Sequence, residues 1–274
     1  MNTINLKNIH GVILLGIGLL VQACSQQPAS TNLQIPQPAG ITIHAGKPFT
    51  IDERTTIIYP TGKNELPESV STCISEMERH TGITFKKSTG EKNLKNCILL
   101  KHNAALPTEG VRLKVNADSI VIEAKDASAA FYALQWLKQS LLLQKKAPFT
   151  LSAIEIEDYP EMNYRGAMLD VSRHFFTVEQ VKRFIDLLAM HRLNYFHWHL
   201  TDDQGWRIEI KKYPELTRVG AWKGTGSERY GGFYTQEEIK DVIAYAKGRA
   251  NTIIPEIAFP GHTTAALAAY PQLG

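Results

Sequence analysis

The sequence predicts an α/β protein in which a small α+β domain precedes a region of parallel strands. Residues 34–158 mix strand and helix patterns without regular alternation, which is typical of an α+β domain. Residues 159–274 instead read as strand, helix, strand, helix and strand. This alternation implies parallel strands with the helices outside, as in a barrel or a doubly wound sheet. The composition is that of a globular chain, because 43% of the 274 residues are hydrophobic and 21% are charged.

Charge and cysteine content exclude several functional classes. A formal net charge of +3 without a long basic run gives no support for nucleic-acid binding. Three cysteines are too few for a disulfide scaffold or a cysteine-rich zinc module. In an oxidising compartment Cys73 and Cys97 either form a disulfide or remain two buried thiols, and the sequence leaves both open. An enzyme or a binder of uncharged ligands remains.

The first residues have the pattern of an export signal. A polar start with Lys7 is followed by an apolar run of 11 residues at 11–21, which is too short to cross a bilayer. The run ends in the sequence VQAC, which resembles a bacterial lipobox. We therefore expect a lipoprotein signal peptide at residues 1–24, with lipid on Cys24, and a flexible linker at residues 25–33. This predicts an exported cell-envelope lipoprotein of the periplasm or outer membrane; the alternative is an ordinary signal peptide with an incidental cysteine.

In the first region the patterns predict two helices and a hairpin. A helix is expected near residues 68–81. Residues 111–122 alternate with a period of two on either side of a polar turn, which predicts a hairpin. Asp126 then precedes a helix over residues 127–143, where apolar residues recur at helical spacing. No acidic or metal-binding cluster converges in this region, so we expect an accessory domain.

In the second region three strands alternate with two helices. Strands are expected over residues 165–171, 195–200 and 252–258. Each intervening helix begins with a capping box, in which a threonine is followed three residues later by Gln180 or by Glu238. A complete eight-stranded barrel needs about 250 residues. If this region is a barrel, we therefore expect it to be truncated after about three strands.

Polar residues collect at the carboxyl ends of these strands, where barrel enzymes place their active sites. The candidates near the second and third strand ends are His197, His199, Asp202, Asp203, Glu256 and His262. Side chains alternate along a strand, so His197 and His199 are expected to point into the barrel while Trp198 faces the helices. By the same parity Glu256 and Ala258 point inward. Interior charges are costly unless they are paired, so their gathering at one rim indicates a site.

Parts of this cluster also fit a structural role or a metal site. A single interior histidine, or an ion pair between Asp203 and Arg207, would be purely structural. His197 and His199 also have the His-x-His spacing with which metal-dependent barrel hydrolases hold zinc, and the nearby carboxylates with His262 would complete the ligand shell. The residues alone therefore leave a metal-dependent hydrolase open.

Three segments resemble glycoside hydrolase family 20, the β-N-acetylhexosaminidases. Residues 165–173 (RGAMLDVSR) resemble the first barrel strand of the family, and residues 197–207 (HWHLTDDQGWR) resemble its most distinctive segment. Residues 254–262, which contain IPE and FPGH, resemble its third-strand motif. The resemblance extends from about residue 32 to residue 274. It implies a small α+β accessory domain followed by the first part of a (β/α)8 TIM barrel.

The resemblance also implies a reaction and roles for several residues. The family removes terminal β-linked N-acetylhexosamine, GlcNAc or GalNAc, from oligosaccharides and glycoconjugates by a retaining, substrate-assisted mechanism that needs no metal or organic cofactor. By similarity, Asp202 and His262 would support the catalytic acid. The substrate-binding residues implied are Arg165, for the hydroxyls of the terminal sugar, together with His199, Asp203 and Glu256.

Two departures from the family pattern affect the expected activity. The catalytic Asp-Glu pair of the family lies on the fourth strand, and no Asp-Glu dipeptide occurs after Tyr159 in this sequence. We therefore expect this chain to be inactive by itself. Ala258 stands where the family usually has a carboxylate, so we expect His262 to lack a charge partner. A non-catalytic sugar-binding protein is thus a further alternative.

Overall fold

The computed structural model describes residues 35–60, 66–90 and 94–274, which belong to one compact unit, Ile35–Gly274. The predicted signal peptide, linker and lipidation site at Cys24 lie outside the described residues. Within this unit the two-part fold predicted from the sequence is confirmed: a mixed α+β layer comes first, and parallel strands with outer helices follow.

The α+β layer is built on a seven-stranded mixed sheet with the strand order β1-β9-β6-β7-β5-β3-β4. A separate antiparallel pair, β2 with β8, lies beside it. The elements in chain order are β1 (Gly40–Ile43), β2 (Phe49–Ile51), β3 (Thr56–Tyr59), α1 (Glu68–Thr81), β4 (Lys86–Thr89), β5 (Cys97–His102), β6 (Val111–Val115), β7 (Ser119–Ala124), α2 (Ala127–Leu142), β8 (Phe149–Leu151) and β9 (Ile154–Asp158).

Both predicted helices and the predicted hairpin of this layer are present. Helix α2 begins because the side chain of Asp126 accepts the N–H of Ala129, as the sequence indicated. Helix α1 ends at Gly82, which adopts the left-handed conformation with a φ of 73°. The buried faces of both helices pack on one face of the sheet and form the main core.

The two cysteines of this layer are free thiols on opposite faces of the sheet. Cys73 lies on α1 and belongs to the main core between helices and sheet. Cys97 begins β5 and belongs to a small cluster with Ile58 and Leu99. The next residue, Ile98, points into the main core, so the alternation of β5 places Cys97 on the other side. The sheet separates the two sulfur atoms, and a disulfide between them does not form.

The second part is a parallel sheet in the order β10-β11-β15, with a helix in each crossover. Its elements are β10 (Gly166–Asp170), α3 (Val178–Met190), β11 (Tyr195–Asp202), β12 (Gly205–Trp206), α4 (Glu215–Arg218), β13 (Trp222–Lys223), β14 (Tyr230–Gly231), α5 (Gln236–Lys247), β15 (Thr252–Ile257) and α6 (Thr264–Ala269). Complete capping boxes start α3 at Thr177 and α5 at Thr235, as predicted.

The strand parity predicted for β11 is confirmed. Phe196, Trp198 and Leu200 are buried in a core shared with α3 and α5. His197 and His199 therefore lie on the opposite, inner face of the sheet. This arrangement presents their imidazoles to the interior of the barrel.

The outer sides of β10 and β15 carry no strand partner among the residues that the structure describes. Met168 on β10 is 51% exposed and Ile257 at the end of β15 is 47% exposed. Both are large apolar residues at the borders of the sheet. In the same described ranges, no helix combines the length and apolar character that a bilayer crossing requires.

Ion pairs join the two parts of the unit. Glu76 on α1 accepts from Lys138 on α2 at 2.7 Å and from Arg249, which follows α5, at 3.0 Å. Arg249 also binds Asp186 on α3. A second contact pairs Arg192, which follows α3, with Asp158 at the end of β9. The residues that follow α3 and α5 are therefore held against the α+β layer.

Candidate active site

Strand register brings three ionisable side chains into one row at the carboxyl rim. Asp170 on β10 pairs in register with His199 on β11, and His199 pairs with Glu256 on β15. Residues in register across parallel strands point to the same face. The structure therefore places these three side chains side by side on the inner face.

Glu256 is the acceptor for both histidines of the His-x-His segment. Its Oε2 atom lies 2.6 Å from Nε2 of His197 and 2.7 Å from Nδ1 of His199. The hydrogen bond from His199 is the largest influence on its pKa, which lies below the usual value despite partial burial. Glu256 is therefore an ionised carboxylate at neutral pH.

Asp202 lies at the centre of the cluster and is almost fully buried. Its Oδ1 atom accepts the N–H of Asp203 at 2.6 Å, and its Oδ2 atom lies 2.7 Å from Nη2 of Arg173 and 3.1 Å from Nε2 of His199. Burial acts to raise its pKa, but the N–H of Asp203 and the neighbouring cations lower it below the usual value. The carboxylate is thus charged and held from several sides.

His262 and Asp203 form the exposed edge of the site. Nδ1 of His262 lies 3.3 Å from Oδ1 of Asp202 and 3.4 Å from Oδ2 of Asp203. The Asp203 carboxylate also accepts the side chain and the N–H of Thr264, which lower its pKa. The expectation that Ala258 leaves His262 without a charge partner is wrong, because residues on the neighbouring strand and its loop provide two carboxylates.

The structure does not bring Arg165 to this rim. Arg165 precedes β10 and so lies at the amino end of the sheet. Its guanidinium binds Glu109 at 2.7 Å and donates to the carbonyl oxygens of Met162 and Arg192. The sequence-based role of Arg165 in sugar binding is therefore corrected: its donors hold the α+β layer against the barrel strands.

Arg173, and not Arg165, is the arginine that lies at the rim. It follows β10, contacts Asp170 at 2.8 Å and Asp202 at 2.7 Å, and its side chain is 53% exposed. The rule that located the other candidates, polar residues at the carboxyl end of a strand, also includes Arg173 with Asp170 and His174, but it assigned Arg173 no role. Residue type alone did not distinguish the two arginines.

Arg207 is a second residue whose role was missed. It does not pair with Asp203; its fully buried guanidinium donates to four backbone carbonyl oxygens, those of Val171, Ser172, Ala221 and Gly232. Two of these carbonyls lie in the loop that leads to Arg173, and two flank the β13–β14 hairpin. Arg207 thus fastens the rim loop to the hairpin.

That hairpin reaches the rim through Tyr230 on β14. The Tyr230 hydroxyl lies 2.9 Å from Nδ1 of His174, the residue after Arg173, and accepts the N–H of Phe175 at 2.9 Å. In the loop that joins β13 to β14, Arg229 places its guanidinium 4.2 Å from the ring centre of Trp222. Aromatic and cationic groups therefore border the cluster on the side of β10.

The geometry does not favour the zinc alternative. His197 and His199 both direct a nitrogen at Oε2 of Glu256, so a carboxylate oxygen occupies the point on which the two imidazoles converge. Asp170, His199 and Asp202 offer donor atoms within 4.8 Å of one another. Arg173 contacts both carboxylates of this set, so its guanidinium already supplies the positive charge that a metal would bring.

Comparisons with known proteins agree with this geometry. A family model of the glycosyl hydrolase family 20 catalytic domain matches residues 162–274, and a model of domain 2 of that family matches residues 34–159. A β-hexosaminidase of Porphyromonas gingivalis is 40% identical over 272 residues, covering 93% of this chain and 35% of that protein.

Solved structures give the same result. An exo-β-N-acetylglucosaminidase of Vibrio harveyi, in complex with N-acetylglucosamine, is 41% identical with a TM-score of 0.77, covering 87% of this chain and 38% of that one. A β-N-acetylhexosaminidase of Bacteroides fragilis is 38% identical with a TM-score of 0.76, covering 88% and 48%. The chain thus spans between about a third and a half of the length of these relatives. It belongs to glycosyl hydrolase family 20.

Proposed function

We propose that this chain supplies the sugar-binding rim of an exo-acting glycosidase that removes terminal β-linked N-acetylhexosamine from oligosaccharides or glycoconjugates. The observation that carries the proposal is the convergence of Arg173, Asp202, Asp203 and His262 at one strand rim in a chain of this family. The relative from Vibrio harveyi binds N-acetylglucosamine, which supports the choice of sugar.

Exposed donors and acceptors at this rim suit the hydroxyl groups of a sugar. The guanidinium of Arg173 has five N–H groups. Its contacts with Asp170 and Asp202 each need one of them, so others can donate to a ligand. The side chain of His262 is 61% exposed and that of Asp203 is 41% exposed. A planar fork beside a carboxylate and an imidazole can bind neighbouring hydroxyls from both sides. Asp202, buried behind them, would hold these groups in place.

The reaction that we propose is retaining and substrate-assisted. The acetamido oxygen of the sugar bonds to the anomeric carbon as the glycosidic C–O bond breaks, and the leaving oxygen takes a proton from a glutamic acid. An aspartate orients the acetamido group. Water then adds to the anomeric carbon as the bond from that carbon to the acetamido oxygen breaks, and the water gives a proton to the glutamate. The acetamide is restored, and the sugar is released with its configuration retained.

Residues 159–274 contain no Asp-Glu dipeptide, so we assign neither the glutamic acid nor its aspartate partner to them. We therefore expect the 274-residue chain to be inactive alone, since loss of a general acid costs roughly 10²–10⁴-fold in rate. Release of a chromophore from a chromogenic N-acetyl-β-glucosaminide should be measured for this chain and for the complete product of its gene. Activity of the complete product, retained in chelator, is the expected result.

Other outcomes of that assay would favour a different function or a different location of the catalytic acid. Activity that disappears in chelator would favour a metal-dependent hydrolase. Tight binding of N-acetylglucosamine without turnover by the complete product would favour a sugar-binding protein. Turnover by the 274-residue chain itself would show that the catalytic acid lies within this chain.

We further propose that the protein is an exported lipoprotein anchored through Cys24. Support comes from the sequence alone, in the apolar run that ends with VQAC. Cys24→Ala should move the protein from the membrane fraction to the soluble exported fraction, with Cys73→Ala as the matched control. A Cys24→Ala protein that stays with the membrane would contradict the lipid anchor.

A further inference from the structure

Each ring nitrogen of His199 faces a carboxylate oxygen. Nδ1 lies 2.7 Å from Oε2 of Glu256, and Nε2 lies 3.1 Å from Oδ2 of Asp202. A neutral imidazole has one N–H and one lone pair, so it can donate to only one of these two oxygens. In the other contact a lone pair would face a carboxylate. Because the His199 side chain is only 9% exposed, solvent has little access to relieve that repulsion.

The Glu256 oxygen that faces His199 already accepts a second donor. Nε2 of His197 lies 2.6 Å from the same Oε2 atom. A proton placed on this oxygen would point at one of two ring nitrogens and would remove the negative charge that attracts both. The carboxylate form, with two donors converging on Oε2, satisfies all three side chains.

Asp202 gives the same result at the other nitrogen. The Oδ2 atom that faces His199 also lies 2.7 Å from Nη2 of Arg173, and Oδ1 accepts the N–H of Asp203 at 2.6 Å. A proton on Oδ1 would face the N–H of Asp203, which can only donate, and a proton on either oxygen would remove the negative charge that attracts Arg173. The shared proton is therefore best placed on the imidazole of His199.

The charges around His199 favour the same state. Two titratable groups on β11, His197 and Asp202, lie next to the ring, and Glu256 faces it from β15. Asp170 and Arg173 face it from β10 and the following loop. His262 lies on the far side of Asp202. Acidic groups outnumber the arginine. Burial alone lowers the pKa of His199, but its bonds to Glu256 and Asp202 outweigh burial and raise the pKa above the usual value.

We propose that His199 is a positioning residue held as an imidazolium, which joins Asp202 to Glu256 and so fixes the carboxylate that contacts Arg173 and His262. The inference rests on the proposed function only in taking this rim as the sugar-binding site. The imidazolium acts through Asp202: it keeps Oδ2 directed at Arg173 and leaves the outer donors of the guanidinium directed at a ligand.

Nitrogen NMR of the full chain labelled with ¹⁵N-histidine tests the protonation state directly. At pH 8, exposed histidines with the usual pKa of about 6.5 are neutral. Both ring nitrogens of His199 should still have the chemical shifts of protonated imidazole. Signals are identified with His199→Asn or, if that variant does not fold, by contacts of the ring protons with β15. An unprotonated His199 nitrogen at this pH would overturn the proposal.

A charge-removing variant tests whether Glu256 keeps His199 protonated. Glu256→Gln keeps the size of the side chain but removes its charge, so the loss of the His199 imidazolium signal should shift to lower pH. Glu237→Gln, an exposed glutamate on α5, is the matched control and should cause no shift. An unchanged His199 titration in Glu256→Gln would contradict this role of Glu256. Neither measurement uses turnover, so an inactive enzyme counts against the proposed function alone, and a neutral His199 counts against this inference alone.

Discussion

The two arginines on either side of β10 have different surroundings, although only eight positions separate Arg165 from Arg173. Arg165 is mostly buried against Glu109, whereas Arg173 is half exposed beside Asp170 and Asp202. The direction of the strand decides the difference, since one arginine precedes the strand and the other follows its carboxyl end. The first therefore serves the fold and the second serves the site.

Substitutions at these two arginines should separate binding from stability. Arg173→Lys loses the fork of donors, so binding of N-acetylglucosamine to the complete gene product should weaken by about 10- to 100-fold, as for loss of a hydrogen bond to a charged group. Arg165→Ala should leave binding unchanged but lower the free energy of unfolding by about 3 kcal/mol, because Glu109 loses its partner. Calorimetric titration measures binding, and urea unfolding measures stability. If Arg165→Ala weakened binding while Arg173→Lys did not, the roles assigned to the two arginines would be wrong.

The charged cluster also predicts a pH dependence of stability. The pKa values of Asp202, Asp203 and Glu256 are lowered, so their stabilisation is complete above the usual carboxyl pKa and is lost as pH falls through the lower folded values. The pKa of His199 is raised, so its stabilisation is complete below the usual value of about 6.5 and is lost as pH rises through the folded value.

Denaturant unfolding of the wild type and of His199→Asn at a series of pH values measures how the contribution of His199 to stability changes as the pH rises. The difference in unfolding free energy should be largest in mildly acidic solution and should decline as the pH becomes alkaline. His44→Asn, at an exposed position on the α+β layer, is the matched control. A difference that grows toward alkaline pH would have the wrong sign for a raised pKa.

At the scale of elements, the rim loop after β10 and the β13–β14 hairpin depend on one buried side chain. Arg207→Met would leave the carbonyl oxygens of Val171, Ser172, Ala221 and Gly232 without this donor. We expect a loss of about 3 kcal/mol in unfolding free energy. We also expect amide hydrogen exchange in residues 220–232 of the variant to be faster than in the wild type, with a smaller change in β11.

The control for that substitution is Arg218→Met on α4. Arg218 is largely exposed and pairs with Glu215 three positions earlier. Such surface pairs contribute little, so exchange and stability should remain close to those of the wild type. Equal exchange rates at residues 220–232 in Arg207→Met and wild type would show that the hairpin does not depend on the hydrogen bonds of Arg207.

Local patterns predicted the elements well. The threonine and its partner three positions later fix the starts of α3 and α5, because a capping box involves only neighbouring residues. The period of two along β11 was sufficient to place His199 on the inner face, since the alternation of a strand is independent of its partners. The same parity placed Glu256 on the inner face, and the register of β11 with β15 places it beside His199.

Contacts between distant segments could not be predicted in the same way. The acceptors of Arg207 are backbone carbonyls 14 to 36 positions away, and a carbonyl has no signature in the residue type. The partners of His262 lie 59 and 60 positions earlier, so the absence of a carboxylate at position 258 did not reveal them. These contacts depend on register and on loop paths.

At the scale of the whole molecule, Glu76 connects the α+β layer to the barrel part. It binds Lys138 within its own layer and Arg249 of the barrel part, which in turn binds Asp186 on α3. All but Asp186 are largely buried, so removing the central charge leaves two cations without full compensation. The stability of the two parts should therefore be coupled.

Glu76→Gln should lower the free energy of unfolding by about 2 kcal/mol while the two parts still unfold together. Fluorescence and far-ultraviolet circular dichroism, followed in denaturant, should give superimposable curves. Glu68→Gln removes an exposed pair with Lys247 between the same two parts and should change little. Two separated transitions in the wild type would contradict the coupling.

Because Cys73 and Cys97 lie on opposite faces of one sheet, their rates of alkylation report separately on the opening of each face. Burial raises the pKa of the Cys73 thiol to about 12 and also raises that of Cys97, so neither thiol is a reactive nucleophile while its layer is closed. An alkylating reagent reaches Cys73 only when the helices separate from the sheet, and reaches Cys97 only when the other face opens. The order in which the two sulfur atoms gain mass during a pulse of reagent therefore records which side of the sheet opens first.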